Sequence, residues 1–305
     1  MDNGALSRAP VKHRLNWKRC ARILGNLFAI IGIAFVSWRL ASQWQSVNDT
    51  IQLLSLWPFI ASATIIYAFA NLLLALAWHN QLFALGFEQT RLWSAKVYGV
   101  SQIAKYIPGN VFQYVSRYSI GVQDGLSGGL LIKSTFSELL SLAFAAATLG
   151  WFLPALLWSS DHLWPCALAA TATFLAGYGA ASRLVRPLMA RALLMHAAFH
   201  VVAGSLFVAG LQQLAAGGGM DNSGYGALGL AGVAYVLAWL AGFVVPGSPA
   251  GLGIREVVLL YLLAGRYPEA TLLVVILACR IVTTLGDILF YLVALTLPNG
   301  EAAGR

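Results

Sequence analysis

Residues 269–297 read EATLLVVILACRIVTTLGDILFYLVALTL and form one long apolar run. A helix that crosses a bilayer needs about 20 apolar residues. This run is longer than that, and its only interior charges are Arg280 and Asp287. It lacks the alternation of polar and apolar residues that is typical of a strand in a membrane barrel. The run therefore predicts a membrane-spanning α-helix.

Similar runs recur along the chain, and we predict about seven membrane-spanning helices. The predicted spans, with ends uncertain by a few residues, are 22–41, 57–84, 129–157, 164–182, 191–215, 226–245 and 269–297. Hydrophobic residues make up 59% of the 305 residues and charged residues 10%, whereas a soluble domain has about 25% charged residues. The composition predicts an all-α polytopic integral membrane protein, with no nucleic-acid partner.

Charged residues near the spans predict the orientation, because cytoplasmic loops are enriched in Lys and Arg. Residues 1–21 carry many basic residues and no signal-peptide cleavage site follows, so we expect a cytoplasmic N-terminal tail in a bacterial-type inner membrane. A loop with Arg183 and Arg186 is predicted inside, and a loop with Asp161 outside. The side of the short C-terminal tail, residues 298–305, stays open.

The loop charges leave no room for a further crossing between residues 94 and 120. Lys96 is predicted inside and Asp161 outside, and the span 129–157 already connects the two sides. We therefore expect residues 94–120 to enter and leave the membrane on one side as a re-entrant hairpin. The alternative is an amphipathic helix that lies on the membrane surface.

The first broken segment, residues 101–117, reads SQIAKYIPGNVFQYVSR. Pro108 removes a backbone donor and disfavours helix at the preceding residue. Gly109 permits a turn, and Asn110 is a good cap for a helix that begins at Val111. The pattern predicts two half-helices with a break between them.

The second broken segment, residues 246–256, reads PGSPAGLGIRE. Pro246, Gly247, Gly251 and Gly253 exclude a regular helix over its first part. The helix that follows has only about ten residues, which is too short to span. Irregular backbone at membrane depth is tolerated only inside protein or beside a water-filled cavity.

The two broken segments predict an internal repeat in a single transmembrane domain, residues 22–297. Two predicted spans precede each segment and one follows it, so the halves are residues 22–157 and 191–297, joined by the span 164–182. Re-entrant segments would make the repeats parallel, which the loop charges favour, and crossing segments would make them inverted. Paired interrupted segments indicate a transporter binding site; the alternative is a pair of ordinary kinked loops.

Basic residues in the broken segments predict an anion site. Arg255 lies in the first turn of its half-helix, where the helix dipole favours an anion. An anion, Glu256 or another acid would stabilise it there. Lys105 and Arg117 lie beside the first break and extend the basic pocket. The alternative for all three cations is that they snorkel to the lipid headgroups.

Three further charged residues, Glu138, Arg280 and Asp287, lie inside predicted spans, where such residues are rare and usually pair. Arg280 and Asp287 share a helix face but need a third group to connect them. Glu138 is a candidate for that group, or for a partner of Arg255; alternatively, the three only fix packing. Cysteines and histidines show no metal-ligand spacing, so no metal or cofactor is expected.

The motif from Lys105 to Gly109 followed by an Arg, and the motif from Pro246 to Glu256, resemble the transmembrane region of the lysylphosphatidylglycerol synthase/flippase family. The resemblance covers nearly the whole chain. Glu138 matches an acid of that family, whereas Leu139 and Ser248 replace its Arg and Gly. Two-part members add a soluble aminoacyl transferase domain, whose activity we do not expect here. The resemblance implies movement of a lipid, or a lipid-linked sugar or amino acid, between leaflets.

The sequence therefore predicts a non-enzymatic flippase for a phosphate-bearing lipid or a polyprenyl-phosphate-linked sugar. One alternative is a membrane enzyme with Glu138 or Asp287 as general base. Another is a non-catalytic partner of a glycosyltransferase. The predicted substrate-binding residues are Lys105, Pro108, Gly109, Asn110, Arg117, Glu138, Pro246, Gly247, Gly251, Gly253, Arg255, Glu256, Arg280 and Asp287.

Overall fold

The computed structural model describes residues 37–38, 41–42, 53–107, 111–218, 225–245 and 248–298. These residues form helices and connecting turns, with no strand among them. We number the α-helices from residue 53 onward. They are α1 (Leu53–Ala84), α2 (Arg91–Gln102), α3 (Phe112–Gln123), α4 (Gly128–Ala147), α5 (Leu153–Leu157), α6 (Leu163–Ala180), α7 (Pro187–Gly218), α8 (Tyr225–Val244), α9 (Ile254–Leu262) and α10 (Glu269–Thr296).

Five helical stretches within the described residues are long and apolar enough to cross a membrane. They are Leu56–Ala84, Gly128–Leu157, Pro187–Leu214, Gly226–Val244 and Glu269–Thr296. Each coincides within a few residues with a predicted span, and together they indicate an all-α integral membrane protein.

The other two predicted spans are not among these five. Residues 164–182 do form a helix, α6, which continues as a short π-helix, Ala181–Val185. The predicted span 22–41 lies outside the described residues except at 37–38 and 41, and so do the tail 1–21 and residues 299–305. The total of seven spans stays a prediction.

Glycines let the helices approach closely, as is common where helices pack within membranes. A Cβ atom at Gly99 in α2 would overlap the side chain of Ala294 in α10. A Cβ atom at Gly286 in α10 would lie 2.7 Å from a ring carbon of Tyr67 in α1. The helices α1, α2 and α10 therefore form a tight group, which α7 joins by packing against α1 and α10.

The first broken segment has the two half-helices that its sequence predicts. Helix α2 ends at Gln102 and continues as a 3-10 turn, Ile103–Tyr106. Ile107 is extended, with φ −73° and ψ 131°, as expected before a proline. Helix α3 begins at Phe112 and packs back against α2. Pro108, Gly109 and Asn110 lie outside the described residues, and the re-entrant path stays a prediction.

The second broken segment has the irregular backbone and short helix that its sequence predicts. Pro249–Gly251 form a 3-10 turn, and Ala250, Gly251 and Gly253 have positive φ angles of 48°, 70° and 83°. Helix α9 has only 9 residues. The turn Pro249–Gly251 packs against the turn Ile103–Tyr106, so the two broken segments meet inside the bundle. Pro246 and Gly247 lie outside the described residues.

Candidate functional site

The first broken segment is joined to α10 through Asp287, whose carboxylate is fully buried. Lys105 Nζ lies 2.6 Å from Asp287 Oδ2. The Tyr106 hydroxyl donates to the same oxygen at 2.6 Å, and Asn71 Nδ2 donates to Oδ1 at 3.1 Å. A buried carboxylate with three donors is well compensated for its loss of hydration. Asp287 therefore holds the turn Ile103–Tyr106 against both α10 and α1.

A second ion pair joins α3 to α4 through Arg117 and Glu138, which are each 2% exposed. Arg117 Nη1 lies 2.5 Å from Glu138 Oε2, and the Tyr98 hydroxyl donates to Oε1 at 2.8 Å. The Arg117 guanidinium carbon lies 3.9 Å from the centre of the Tyr98 ring and 5.0 Å from that of Trp78. Aromatic faces attract a desolvated guanidinium.

The partner of Glu138 differs from both sequence-based alternatives. Glu138 bonds to Arg117, so it neither connects Arg280 with Asp287 nor pairs with Arg255. Arg280 and Asp287 each bind partners on other elements.

A third ion pair shapes the second broken segment. Arg280 Nε bonds to Glu256, while Nη1 and Nη2 donate to the carbonyl oxygens of Ala250 and Gly251, each at 3.1 Å. Ala250 adopts a left-handed φ of 48° that is unusual for a residue with a side chain. The guanidinium of Arg280, called the Arg280 fork below, holds this turn in place. It also binds Glu256, the residue that follows Arg255 in sequence.

Arg255 has no such partner. Its Nε atom is buried without a hydrogen bond, and it forms no ion pair with any residue that the structure describes. Its guanidinium carbon lies 5.6 Å from the centre of the Trp239 ring. Among the site's cations, Arg255 is therefore the one whose charge the described residues leave uncompensated at contact distance.

Two glycines form a slot that directs the Arg255 side chain. A Cβ atom at Gly242 in α8 would lie 2.7 Å from Arg255 Cγ, and one at Gly251 would lie 2.6 Å from Nε. Real Cβ atoms essentially never approach other atoms so closely. The absence of side chains at Gly242 and Gly251 is therefore what lets the arginine pass between α8 and the turn.

Arg255 lines a small cavity of about 50 Å³ where the two broken segments meet. That is room for a few water molecules. Polar side chains of both segments and of α1, α2 and α4 line it, namely Tyr67, Tyr98, Gln102, Lys105, Gln113, Tyr114, Glu138 and Arg255. Around it, four cations face three carboxylates, which leaves one positive charge.

Eight predicted site residues gather in this region. They are Lys105, Arg117, Glu138, Gly251, Arg255, Glu256, Arg280 and Asp287. Gly253 sits at the start of α9, where its φ of 83° needs a glycine. Pro108, Gly109, Asn110, Pro246 and Gly247 cannot be placed, because they lie outside the described residues.

Sequence reasoning missed several residues of the site. Asn71 carries a usable signal, since it is a polar residue within an apolar run. Tyr98, Trp239 and Gly242 carry none, because aromatic residues and glycines are common in membrane helices. No three His, Cys, Asp or Glu side chains of the described residues come together as a metal site.

No protein-family model matches the chain, and no curated protein matches it.

Proposed function

We propose that the protein is a flippase that moves a phosphate-bearing lipid, or a lipid-linked sugar phosphate, between the leaflets of a bacterial-type inner membrane. The observation that carries this proposal is the uncompensated guanidinium of Arg255, held beside a cavity where two broken segments meet. The protein acts without catalysing a reaction, and its N-terminus lies in the cytoplasm. The resemblance to the lysylphosphatidylglycerol synthase/flippase family supports the same function.

Phosphate suits Arg255 for three reasons. A guanidinium presents parallel N–H donors that match phosphate oxygens, and such charge-assisted bonds are strong. Arg255 lies in the first turn of α9, where unpaired backbone N–H groups and the helix dipole also favour an anion. The single positive charge left by the three ion pairs is neutralised when a phosphate binds.

The surrounding architecture suits movement. Broken helical segments that meet in the interior are typical of transporters, whose substrate sites lie between paired half-helices. Here the walls of the cavity come from both segments, so a shift of one segment against the other changes access to Arg255. The ion pair of Lys105 with Asp287 holds the first segment in the position described and is one connection that such a shift would break.

The test is translocation in liposomes that contain the purified full chain. We expect faster movement of a fluorescent phosphatidic acid across the bilayer than in empty liposomes. Arg255→Ala should abolish the acceleration, and Arg255→Lys should impair it nearly as much, because a lysine lacks the planar fork. Lys133→Ala is the matched control, since it removes a cation from an exposed position on α4, away from the cavity.

Two results would contradict the proposal. A neutral glycolipid that moves equally well, with no effect of Arg255→Ala, would exclude a phosphate site. Folded protein that accelerates neither lipid would exclude the flippase activity itself.

A further inference from the structure

A cleft of about 740 Å³ lies near Trp239, whose ring packs against His200 of the cleft lining. It is formed by α6, α7, α8, the end of α4 and the 3-10 turn Thr148–Phe152 that follows it, and most of its lining residues are Ala, Gly, Val, Leu or Phe. Its volume falls within the range of about 300–1,000 Å³ that is usual for ligand sites. None of the predicted site residues lines it.

The dimensions of the cleft suit a hydrocarbon chain. It follows α7 from Ala197 to Gln212, about 22 Å at 1.5 Å per residue. One leaflet of hydrocarbon is about 15 Å thick, half of a core of about 30 Å. Leu175 and Val201 at its rim are 60% and 67% exposed. Because α7 and α8 are long and apolar enough to span, we expect this rim to face lipid.

The floor of the cleft is built from backbone. A Cβ atom at Gly204 in α7 would lie 3.0 Å from the carbonyl oxygen of Gly232 in α8, so the two helices touch there without intervening side chains. At Gly229, which also lines the cleft, an added Cβ would meet no atom within 4 Å. The two helices are therefore in close contact at Gly204 and Gly232, whereas there is open space next to Gly229.

The linings of the cleft and of the charged cavity are in contact through two aromatic rings. His200 lines the cleft, and its ring lies edge-on to Trp239 with the centres 4.7 Å apart. The Nε2 atom of His200 lies 3.1 Å from the carbonyl oxygen of Leu142, which fixes the ring. Trp239 in turn lies beneath the Arg255 guanidinium. The rings of His200 and Trp239 thus link the lining of the cleft to the unpaired cation.

We infer that the cleft binds one acyl or prenyl chain of the lipid whose phosphate binds at Arg255. This inference rests on the proposed function and extends it by placing the tail of the substrate. The tail binds beside His200 and the head beside Trp239, whose rings are in contact, so a single lipid engages both sites. The lipid enters sideways from the membrane, past Leu175 and Val201.

Photolabelling of the full chain in liposomes tests the inference without requiring translocation. The probes are phosphatidic acid and diacylglycerol that carry the same diazirine in one acyl chain, and mass spectrometry locates the adducts. We expect phosphatidic acid to label peptides that line the cleft several-fold more than diacylglycerol does. Arg255→Ala should remove this difference, because it removes the headgroup contact.

Gly229→Leu should fill the cleft and reduce its labelling several-fold, while labelling of other lipid-facing helices stays unchanged. Gly179→Leu is the matched control, since Gly179 is a glycine of α6 that lies outside the cleft and has no atom within 4 Å of an added Cβ. A loss of labelling in Gly229→Leu alone supports the inference.

Three outcomes would overturn the inference. Even labelling over all lipid-facing helices would show that the cleft holds no particular chain. Equal labelling by the two probes would show that binding in the cleft does not depend on a phosphate at Arg255. Absence of cleft labelling would show that no acyl chain occupies the cleft. Translocation is measured separately from labelling. If the cleft is labelled as expected but the protein moves no lipid, the result contradicts the proposed function and leaves the tail site standing.

Discussion

Gly242→Ala tests whether the exact path of the Arg255 side chain matters. The added methyl carbon would lie 2.7 Å from Arg255 Cγ, 3.0 Å from its Nε and 3.1 Å from Gly251 Cα. Ordinary contact begins at 3.4 Å, so the arginine stem must retreat by the difference, 0.7 Å. Gly242 lies within α8 and has an ordinary helical conformation, so the backbone itself accepts alanine.

The expected effect on transport follows from this displacement. Misplacing a group in a positioned site by about 1 Å can cost on the order of 100-fold, so we expect roughly tenfold slower translocation of phosphatidic acid. Stability should change little in comparison. Alanine is better than glycine within a helix by about 1 kcal/mol, and this partly offsets an overpacking cost of about 1–3 kcal/mol.

The assay is liposome translocation combined with thermal unfolding of the purified protein in detergent. Gly179→Ala is the control, because it makes the same change in a helix where the new methyl group meets no atom within 4 Å. If Gly242→Ala unfolds normally and transports at the wild-type rate, the glycine slot does not position Arg255 for function, and the reasoning is refuted.

Three further predictions concern the ion pairs and the orientation. Asp287→Ala leaves Lys105 without its partner and should destabilise the protein by about 3–5 kcal/mol. Adding Lys105→Met to Asp287→Ala should restore much of the lost stability, measured by thermal unfolding. If the double variant is no more stable than Asp287→Ala alone, Lys105 and Asp287 do not interact energetically. Arg117→Lys keeps the charge but loses the flat contact with Tyr98, so we expect a cost of about 1–2 kcal/mol, and an unchanged melting temperature would contradict the stacking argument. A cysteine at Ser159 should react with an impermeant thiol reagent added to intact cells, and one at Leu188 should not; the reverse would overturn the cytoplasmic N-terminus.

The long helices were predictable because the bilayer sets their length and composition. The predicted span 129–157 corresponds to the helical stretch Gly128–Leu157, and the predicted span 269–297 to Glu269–Thr296. A run of about 20 apolar residues has few alternatives to a helix that crosses the membrane. This reasoning depends only on local sequence, and for the five helical stretches that the structure bears out, the predicted ends differ by only a few residues.

The breaks were predictable for a different local reason. Proline removes a donor and restricts the residue before it, and the extended Ile107 shows the expected effect. Glycines at positions 251 and 253 permit the positive φ angles found there. Ala250 shares this conformation, however, and no local rule predicts it. The Arg280 fork, which binds the two carbonyl groups of the turn, accounts for it.

The choice of ion-pair partners was not predictable, because it depends on distances between elements far apart in sequence. Arg280 and Asp287 share a helix face, yet Asp287 binds Lys105, 182 residues away by the numbering, and Arg280 binds Glu256. Glu138 had several possible partners, and only the packing of α3 against α4 selects Arg117. Gly242 gave no signal at all, since its role appears only once α8 and α9 are adjacent.

The excess positive charge of the site falls on Arg255 as a consequence of how the second broken segment folds. The left-handed turn at Ala250 directs two carbonyl oxygens toward α10, where Arg280 binds both and also takes Glu256. Arg280 thereby binds Oε1 of the carboxylate nearest to Arg255 in sequence, and no ion pair joins that carboxylate to Arg255. A buried charge without a partner costs several kcal/mol, and an anion that reaches the cavity recovers much of that cost on binding. The unpaired burial of Arg255 would therefore favour the phosphate binding that we propose.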